Sequence, residues 1–155
     1  MNAEQERLAL EILSKSLDIT VATNRADGWP QATTVSFVSD GLTLYFGTWS
    51  RSQKAANITR DGRVSVTADA PYTNWEGIRS LSMAARAEFV TDPVELARVG
   101  DLMTKRFGHE LAKITSVDMS ETRVVRLRPV VISILDYSKG FGHKEDIVTA
   151  SAAAA

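Results

Sequence analysis

Between residues 3 and 17 the apolar positions Leu8, Ile12, Leu13 and Leu17 recur at three- and four-residue steps. That is the spacing of a helix burying one face. The rhythm then shortens. Ile19 and Val21 flank Thr20 in a strand pattern that runs to Thr23, and Asn24-Arg25-Ala26-Asp27-Gly28 follows with an Asp-Gly turn signal. After Pro30, residues 31–38 are rich in Thr and Val, residues 39–41 read Ser-Asp-Gly, and residues 42–46 read Leu-Thr-Leu-Tyr-Phe. A meander of three antiparallel strands is predicted.

Helical signals return after Gly47. Ser50 as N-cap, with Gln53 reaching back to its amide, makes a capping box and predicts a short helix over residues 51–59, ended by Arg60-Asp61-Gly62. Residues 63–69 and 80–91 predict two further strands around a loop carrying Pro71, Trp75 and Gly77. Asp92-Pro93 opens another helix, with Asp as cap and Pro in the first turn, and Val94, Leu96, Ala97, Val99, Leu102, Met103 and Phe107 carry it to Gly108. A last strand over residues 123–136 is interrupted near Pro129, which suits a bulge or an edge. The sum is a mainly β fold: six antiparallel strands in a closed or partly closed barrel with short peripheral helices, because closure removes exposed edges.

Composition narrows the chemistry. At 155 residues, 44% hydrophobic and 24% charged, the chain has the make-up of one folded domain. Eighteen Lys and Arg against nineteen Asp and Glu leave a net charge of -1, without the basic field that holds nucleic acid. The absence of cysteine removes thiol chemistry, disulfides and thiolate metal sites, and two isolated histidines, His109 and His143, make no metal set. The polar start Met1-Asn2-Ala3-Glu4-Gln5-Glu6-Arg7 is unlike a secretory signal, and runs such as Pro129-Val130-Val131-Ile132 are far too short to cross a bilayer. A cytoplasmic location without membrane attachment is expected.

The stretch Leu44-Tyr45-Phe46-Gly47-Thr48-Trp49-Ser50-Arg51-Ser52-Gln53-Lys54 is the most informative. A strand runs through a glycine and hydroxyls into a helix N-terminus bearing cations, where free amides, the helix dipole and an ammonium favour a phosphate. A capped helix with two solvated cations fits the same residues. In Ala32-Thr33-Thr34-Val35-Ser36-Phe37, small and hydroxyl-bearing side chains let a flat ring approach the backbone, although Thr and Val also simply favour strands. The segment Asp136-Tyr137-Ser138-Lys139-Gly140-Phe141-Gly142-His143 is either a lid or an exposed turn leading into a tail that ends in Ala150 to Ala155.

Pro30, Asp40-Gly41, Leu44-Tyr45-Phe46-Gly47-Thr48, Ser52-x-Lys54, Asn57-Ile58 and Asp61-Gly62-Arg63-Val64 together resemble the FMN-binding split barrel of the pyridoxamine 5'-phosphate oxidase family. The resemblance runs over about residues 5–137 and is nearest to the small general-stress-type flavoproteins. It implies one FMN-binding split-barrel domain over residues 1–137, with residues 138–155 as the C-terminal segment. It implies that Thr33, Thr34, Val35 and Ser36 lie along the isoalloxazine and that Gly47 and Thr48 border the ribityl chain. Ser52 and Lys54 would take the phosphate, and Phe46 and Gln53 are counted with them as cofactor-binding residues. Family members are homodimers with the cofactor at the interface, so Ser80 and Ser82 would come from the partner, with Trp75 covering the ring.

Two positions depart from the family pattern. Where the oxidase has a cofactor arginine and a substrate lysine at the two ends of the Ala32–Phe37 strand, this chain has Ala32 and Phe37. Nor is there a downstream Tyr, Arg and Ser set to grip a substrate phosphate. The resemblance therefore implies an FMN-dependent oxidoreductase using hydride transfer, other than a true pyridoxamine phosphate oxidase. Alternatives are a non-enzymatic flavin-binding stress or sensor protein, an F420 binder using Arg51, Arg79 and Lys139, or a haem binder using His143. The substrate and the electron donor are not specified.

Overall fold

The computed structural model of the chain describes residues 1–113 and 119–149. Its first element, α1 (Ala3–Lys15), is opened by Asn2, whose side chain accepts from the Gln5 amide at 2.9 Å while the Gln5 side chain accepts from the Asn2 amide at 3.0 Å. The helix buries Leu8, Ala9, Ile12 and Leu13. It stops at Ser16, so Leu17, expected on the buried face, lies past the end and is 75% exposed.

The strands are β1 (Asp18–Asn24), β2 (Pro30–Ser36), β3 (Val38–Asp40), β4 (Thr43–Trp49), β5 (Arg63–Asp69), β6 (Arg79–Phe89), β7 (Thr122–Asp136) and β8 (Lys144–Val148). Two more helices, α2 (Gln53–Arg60) and α3 (Pro93–Leu111), sit between them. The sheet order is β2-β1-β5-β6-β7-β4-β3, with β8 also paired to β7. Since β2 and β3 are the two ends of this order and only Phe37 separates them in the chain, the sheet must curl until its edges meet. It is a barrel closed by the chain rather than by a hydrogen-bond ladder, which is what splits it. Strict alternation on β5 sends Val64, Val66 and Ala68 inward, to pack with Ile19, Val21, Leu81, Met83, Leu127 and Ile132.

The fold is thus the expected mainly β split barrel with peripheral helices, but it has eight strands among the described residues, not six. The predicted strand over residues 31–38 divides at Phe37, because its first half pairs with β1 and its second with β4. The segment after Tyr137, expected as lid or tail, forms a short 3-10 turn (Tyr137–Lys139) and then β8, which buries Ile147 against β7. Residues 150–155 of the expected tail lie outside the described residues. Pro129 does mark a bulge, since the β6–β7 register shifts between Ala84 and Ala85, but β7 is interior and not an edge.

The position of α2 is fixed at both ends. Gly62, just after it, approaches β6 so closely that a Cβ there would lie 2.7 Å from the Ala87 carbonyl oxygen, and the Ala87 amide donates to the Gly62 carbonyl at 2.7 Å. At its start the cap is Ser52, not the expected Ser50. Ser50 is drawn off to Glu121, whose carboxylate and carbonyl accept from its hydroxyl at 2.7 Å and its amide at 2.8 Å. Ser52 instead accepts from the Ala55 amide at 3.1 Å, and Gln53, freed from the predicted box, donates to Asn57.

Candidate functional site

Alternation along β4 sends Phe46 and Thr48 into the barrel and Gly47 outward. The chain then turns into α2, and the Thr48 and Ser52 hydroxyls meet at 3.0 Å beside the helix N-terminus. Lys54 follows in the first turn. Its side chain is half-buried, with Nζ 5.2 Å from the centroid of the Phe46 ring, and burial pushes the ammonium below its ordinary pKa. No carboxylate of the described residues shares in that shift. Two hydroxyls, a helix N-terminus and a partly desolvated cation therefore converge, an arrangement that favours an anion.

The wall of this mouth is stitched by one buried side chain. Asn57, on α2, donates to the Thr23 hydroxyl at 2.9 Å and to the Gln31 amide oxygen at 3.1 Å, and accepts from Gln53 at 2.9 Å. It thereby ties α2 to β1 and β2. Two residues beyond Gln31 on the same face, the Thr33 hydroxyl is buried and has no hydrogen-bond partner. A buried polar atom without a partner is uncommon and costs stability, and Thr33 holds such a donor and acceptor on the partly buried face of β2.

The other β2 positions divide by alternation. Val35 shares the Thr33 face and packs on the core, whereas Thr34 and Ser36 point outward. The Thr34 hydroxyl meets Thr20 at 3.5 Å and Ser36 donates to Asp18 at 2.9 Å. Along its other side β2 pairs with no strand of the sheet, so alternate backbone N–H and C=O groups face away from β1. Phe46, Thr48, Ser52, Gln53 and Lys54 are thus brought to one end of the barrel, with Thr33 and Val35 further along β2 on its partly buried face and Gly47, Thr34 and Ser36 facing outward.

Trp75, Ser80 and Ser82 are elsewhere in the chain. Phe89, at the far end of β6, and Phe46 both pair with Val125. At about 3.3 Å per residue, the nine steps from Ser80 to Phe89 put Ser80 up to roughly 30 Å along the strand from that end. Ser82 belongs to an outward row of hydroxyls, Thr34, Thr20, Thr67, Ser82 and Ser133, each paired with the next across five strands. Trp75 is 70% exposed and packs on Phe141 at 5.9 Å, and Phe141 on Tyr137 at 5.0 Å, so the two loops at this end share one aromatic cluster.

The three other cations considered for a cofactor, Arg51, Arg79 and Lys139, are engaged. Arg51 lies 3.6 Å from Glu121, Arg79 3.2 Å from Asp136 and Lys139 3.0 Å from Glu145. His143 Nε2 lies 3.0 Å from the Glu145 carboxylate, whose pKa the hydrogen bonds from Gln5, His143 and Lys139 draw down to about 2. Alternation alone would put Arg126, with Arg128, on a solvated face. Instead it is mostly buried and donates to Glu88 at 2.7 Å and Glu95 at 2.6 Å, joining β7 to β6 and α3. Only the sheet register brings these partners together.

The chain's relatives agree with this architecture. The family model described as pyridoxamine 5'-phosphate oxidase matches residues 6–136. No curated protein matches the sequence. Among solved structures, a heme binding protein from Mycobacterium smegmatis is similar with a TM-score of 0.80 at 20% identity, covering 99% of this chain but 62% of its own. This chain therefore spans less than two thirds of that protein. The conserved hypothetical protein Rv2991 from Mycobacterium tuberculosis gives a TM-score of 0.72 at 24% identity over 97% of this chain and 95% of its own. The heme storage protein HutZ from Vibrio cholerae gives 0.65 at 22% over 83% and 91%. At such identities these likenesses establish the fold, and with the family model matching most of its length, the chain belongs to the pyridoxamine 5'-phosphate oxidase family.

Proposed function

We propose that this protein binds FMN at the mouth between β2, β4 and α2 and works as an oxidoreductase. The observation that carries the reading is the half-buried, carboxylate-free ammonium of Lys54 beside the paired hydroxyls of Thr48 and Ser52. A phosphate ester there regains for Lys54 the charge partner that burial denies it. The unpartnered Thr33 hydroxyl and the free backbone edge of β2 supply hydrogen bonds to a ring system, and Gln53, held by Asn57, lines the phosphate side. FMN, when bound, supplies hydride transfer, and the protein supplies position and polarity.

A second copy completes the site. We assign the contributions of Ser80, Ser82 and Trp75 to the partner's copy, and the row through Thr34, Thr67 and Ser82 offers a hydroxyl-bearing face for a homodimer. Partner residues then reach the β2 edge. Other ligands of the fold fit less well. The cations that a longer acidic cofactor such as F420 would need are already paired. Haem, bound by two of the similar structures, would need His143 to leave Glu145.

The absorption spectrum of the purified protein separates flavin from haem, and a fluorescence titration with FMN tests the phosphate contact. In Lys54→Met the stem is kept and the charge removed. FMN affinity is expected to fall about 10- to 100-fold, the worth of a charge-assisted hydrogen bond. Unchanged affinity sinks the assignment of Lys54. Bleaching of bound FMN by NADH or NADPH under anaerobic conditions supports an oxidoreductase, and persistent colour with both supports a flavin-binding protein without that activity.

A further inference from the structure

Arg106, in the second half of α3, reaches into the seam between the end of α1 and β3. Its guanidinium lies 4.5 Å from the centroid of the fully buried Phe37 ring and 5.3 Å from that of Phe107, and its Nη2 donates to the Ser16 carbonyl. That contact leaves most of its five N–H donors unused. No carboxylate of the described residues forms an ion pair with it. Burial draws its pKa below the ordinary 12.5, and the one charge that opposes this is Asp18, whose carboxylate already accepts from Ser36 at 2.9 Å.

Beside Arg106 opens a cavity of about 420 Å³, lined by Ser14 of α1, Val38 and Ser39 of β3, and Leu102, Lys105 and Arg106 of α3. Small-molecule sites run from about 300 Å³ upward. Both charged residues of the lining are cations, and Lys105, which is exposed, makes no hydrogen bond or ion pair among the described residues. The acids nearby are engaged or outside the lining. Glu11 is held by Lys15 at 2.6 Å and Arg7 at 3.3 Å, Asp40 is held by Arg98, and Asp101, one turn before Lys105, does not line the cavity. At the C-terminal end of α1, where a helix repels anions, the Ser14 hydroxyl donates to the Glu11 carbonyl and the Ser16 hydroxyl to the Ile12 carbonyl, both at 2.8 Å, and Arg106 takes the Ser16 carbonyl. The Ser39 hydroxyl has no partner among the described residues and is free to donate. Buried Val38 and half-buried Leu102 form an apolar floor.

We propose that this cavity binds a small organic carboxylate, about the size of one ring, with its anion on Arg106 and Lys105 and its body on Val38 and Leu102. A guanidinium takes a carboxylate through two parallel hydrogen bonds, and the Ser39 hydroxyl adds a third. The site is separate from the phosphate mouth, because Thr48, Ser52 and Lys54 are not in its lining. It does not rest on the flavin reading.

Benzoate and its uncharged isostere benzamide are the probes. Calorimetric titration of the full chain near neutral pH is expected to show benzoate binding at least about tenfold more tightly than benzamide. Lys54→Met, which removes the cation of the phosphate mouth, is expected to bind benzoate as the wild type does. Arg106→Met keeps the stem over Phe37, removes the charge and is expected to weaken benzoate at least about tenfold. Should that variant misfold, methyl NMR of the wild type serves instead: the benzoate ring shifts the Leu102 signals and leaves those of Leu127, in the barrel core, in place. Absent benzoate binding, equal binding of benzamide, loss of benzoate in Lys54→Met, a folded Arg106→Met that binds as the wild type does, or Leu102 signals that do not move each overturns the proposal. None of these outcomes depends on FMN, so the two readings fail separately.

Discussion

Two polar clusters flank β4, one satisfied and the other not. On the outward side, under α3, Arg126 is bonded to Glu88 and Glu95, the Tyr45 hydroxyl donates to Glu95 at 2.9 Å, and Arg98 reaches Asp40 and Tyr45. The gap in that network is Arg126 Nε, which is buried without an acceptor. On the inward side, under α2, Lys54 has an aromatic ring in place of a carboxylate and Thr33 has no partner. Both clusters lose solvation on folding. The first recovers most of it within the chain through three guanidinium–carboxylate and hydroxyl contacts, and the second does not.

The largest effect expected from breaking this contrast lies under α3. In Arg126→Met the shape of the stem remains, but Glu95, whose side chain is 14% exposed, is left without its main partner. Removing one member of a mostly buried pair is expected to cost about 3 kcal/mol, read as a fall in the denaturation midpoint, while FMN affinity of the folded protein stays as it was. A loss of FMN binding in step with stability would show the two clusters to be one.

Acid sharpens the same comparison. The Arg126 hydrogen bond is the main cause holding the Glu88 carboxyl below its ordinary 4.5. Burial pushes Glu95 up, but its hydrogen bonds to Arg126 and Tyr45 and the neighbouring guanidinium charges outweigh that and bring it below 4.5 as well. In this window the unfolded chain binds more protons than the folded one, so the stabilisation is complete above about pH 4.5 and is lost as pH falls through the lowered values. The wild type is therefore expected to lose stability below about pH 4.5 more steeply than Arg126→Met. Parallel pH profiles would assign the acid sensitivity to other carboxylates, such as Glu145.

The two clusters also differ in how they are written in the chain. The mouth under α2 is local: Thr48, Ser52 and Lys54 span seven residues, and a strand running into a capped helix reads as an anion site without any tertiary contact. The serine that caps does not read so easily, because Ser50 and Ser52 are both good caps locally and Glu121, far along the chain, decides between them. The network under α3 is non-local, since Arg126, Glu88 and Glu95 come from three elements and the alternation of Arg126 with Arg128 looks like a solvated face. The break at Phe37 is hidden for a related reason. Both halves of that run favour strands equally, and only closure of the barrel sends them to different partners. β8 is short and charged, and its one buried side chain, Ile147, gains its meaning from β7.

The smallest effect is expected at Lys54 in the ligand-free protein. Burial lowers its pKa, which means the folded state binds its proton less well than the unfolded state does. The charged lysine is therefore a net cost to folding, one that shrinks as pH rises through the lowered value toward the ordinary 10.5. Lys54→Met keeps the stem over Phe46 and removes the charge, so the denaturation midpoint without ligand should stay within about 0.5 kcal/mol of the wild type or rise. With saturating FMN the order should reverse, because only the wild type gains the phosphate contact and ligand binding adds to stability by mass action. A fall of more than about 1 kcal/mol in the ligand-free protein would mean that the Phe46 ring already satisfies the ammonium. Lys54 would then belong with Arg126, as a residue of the fold.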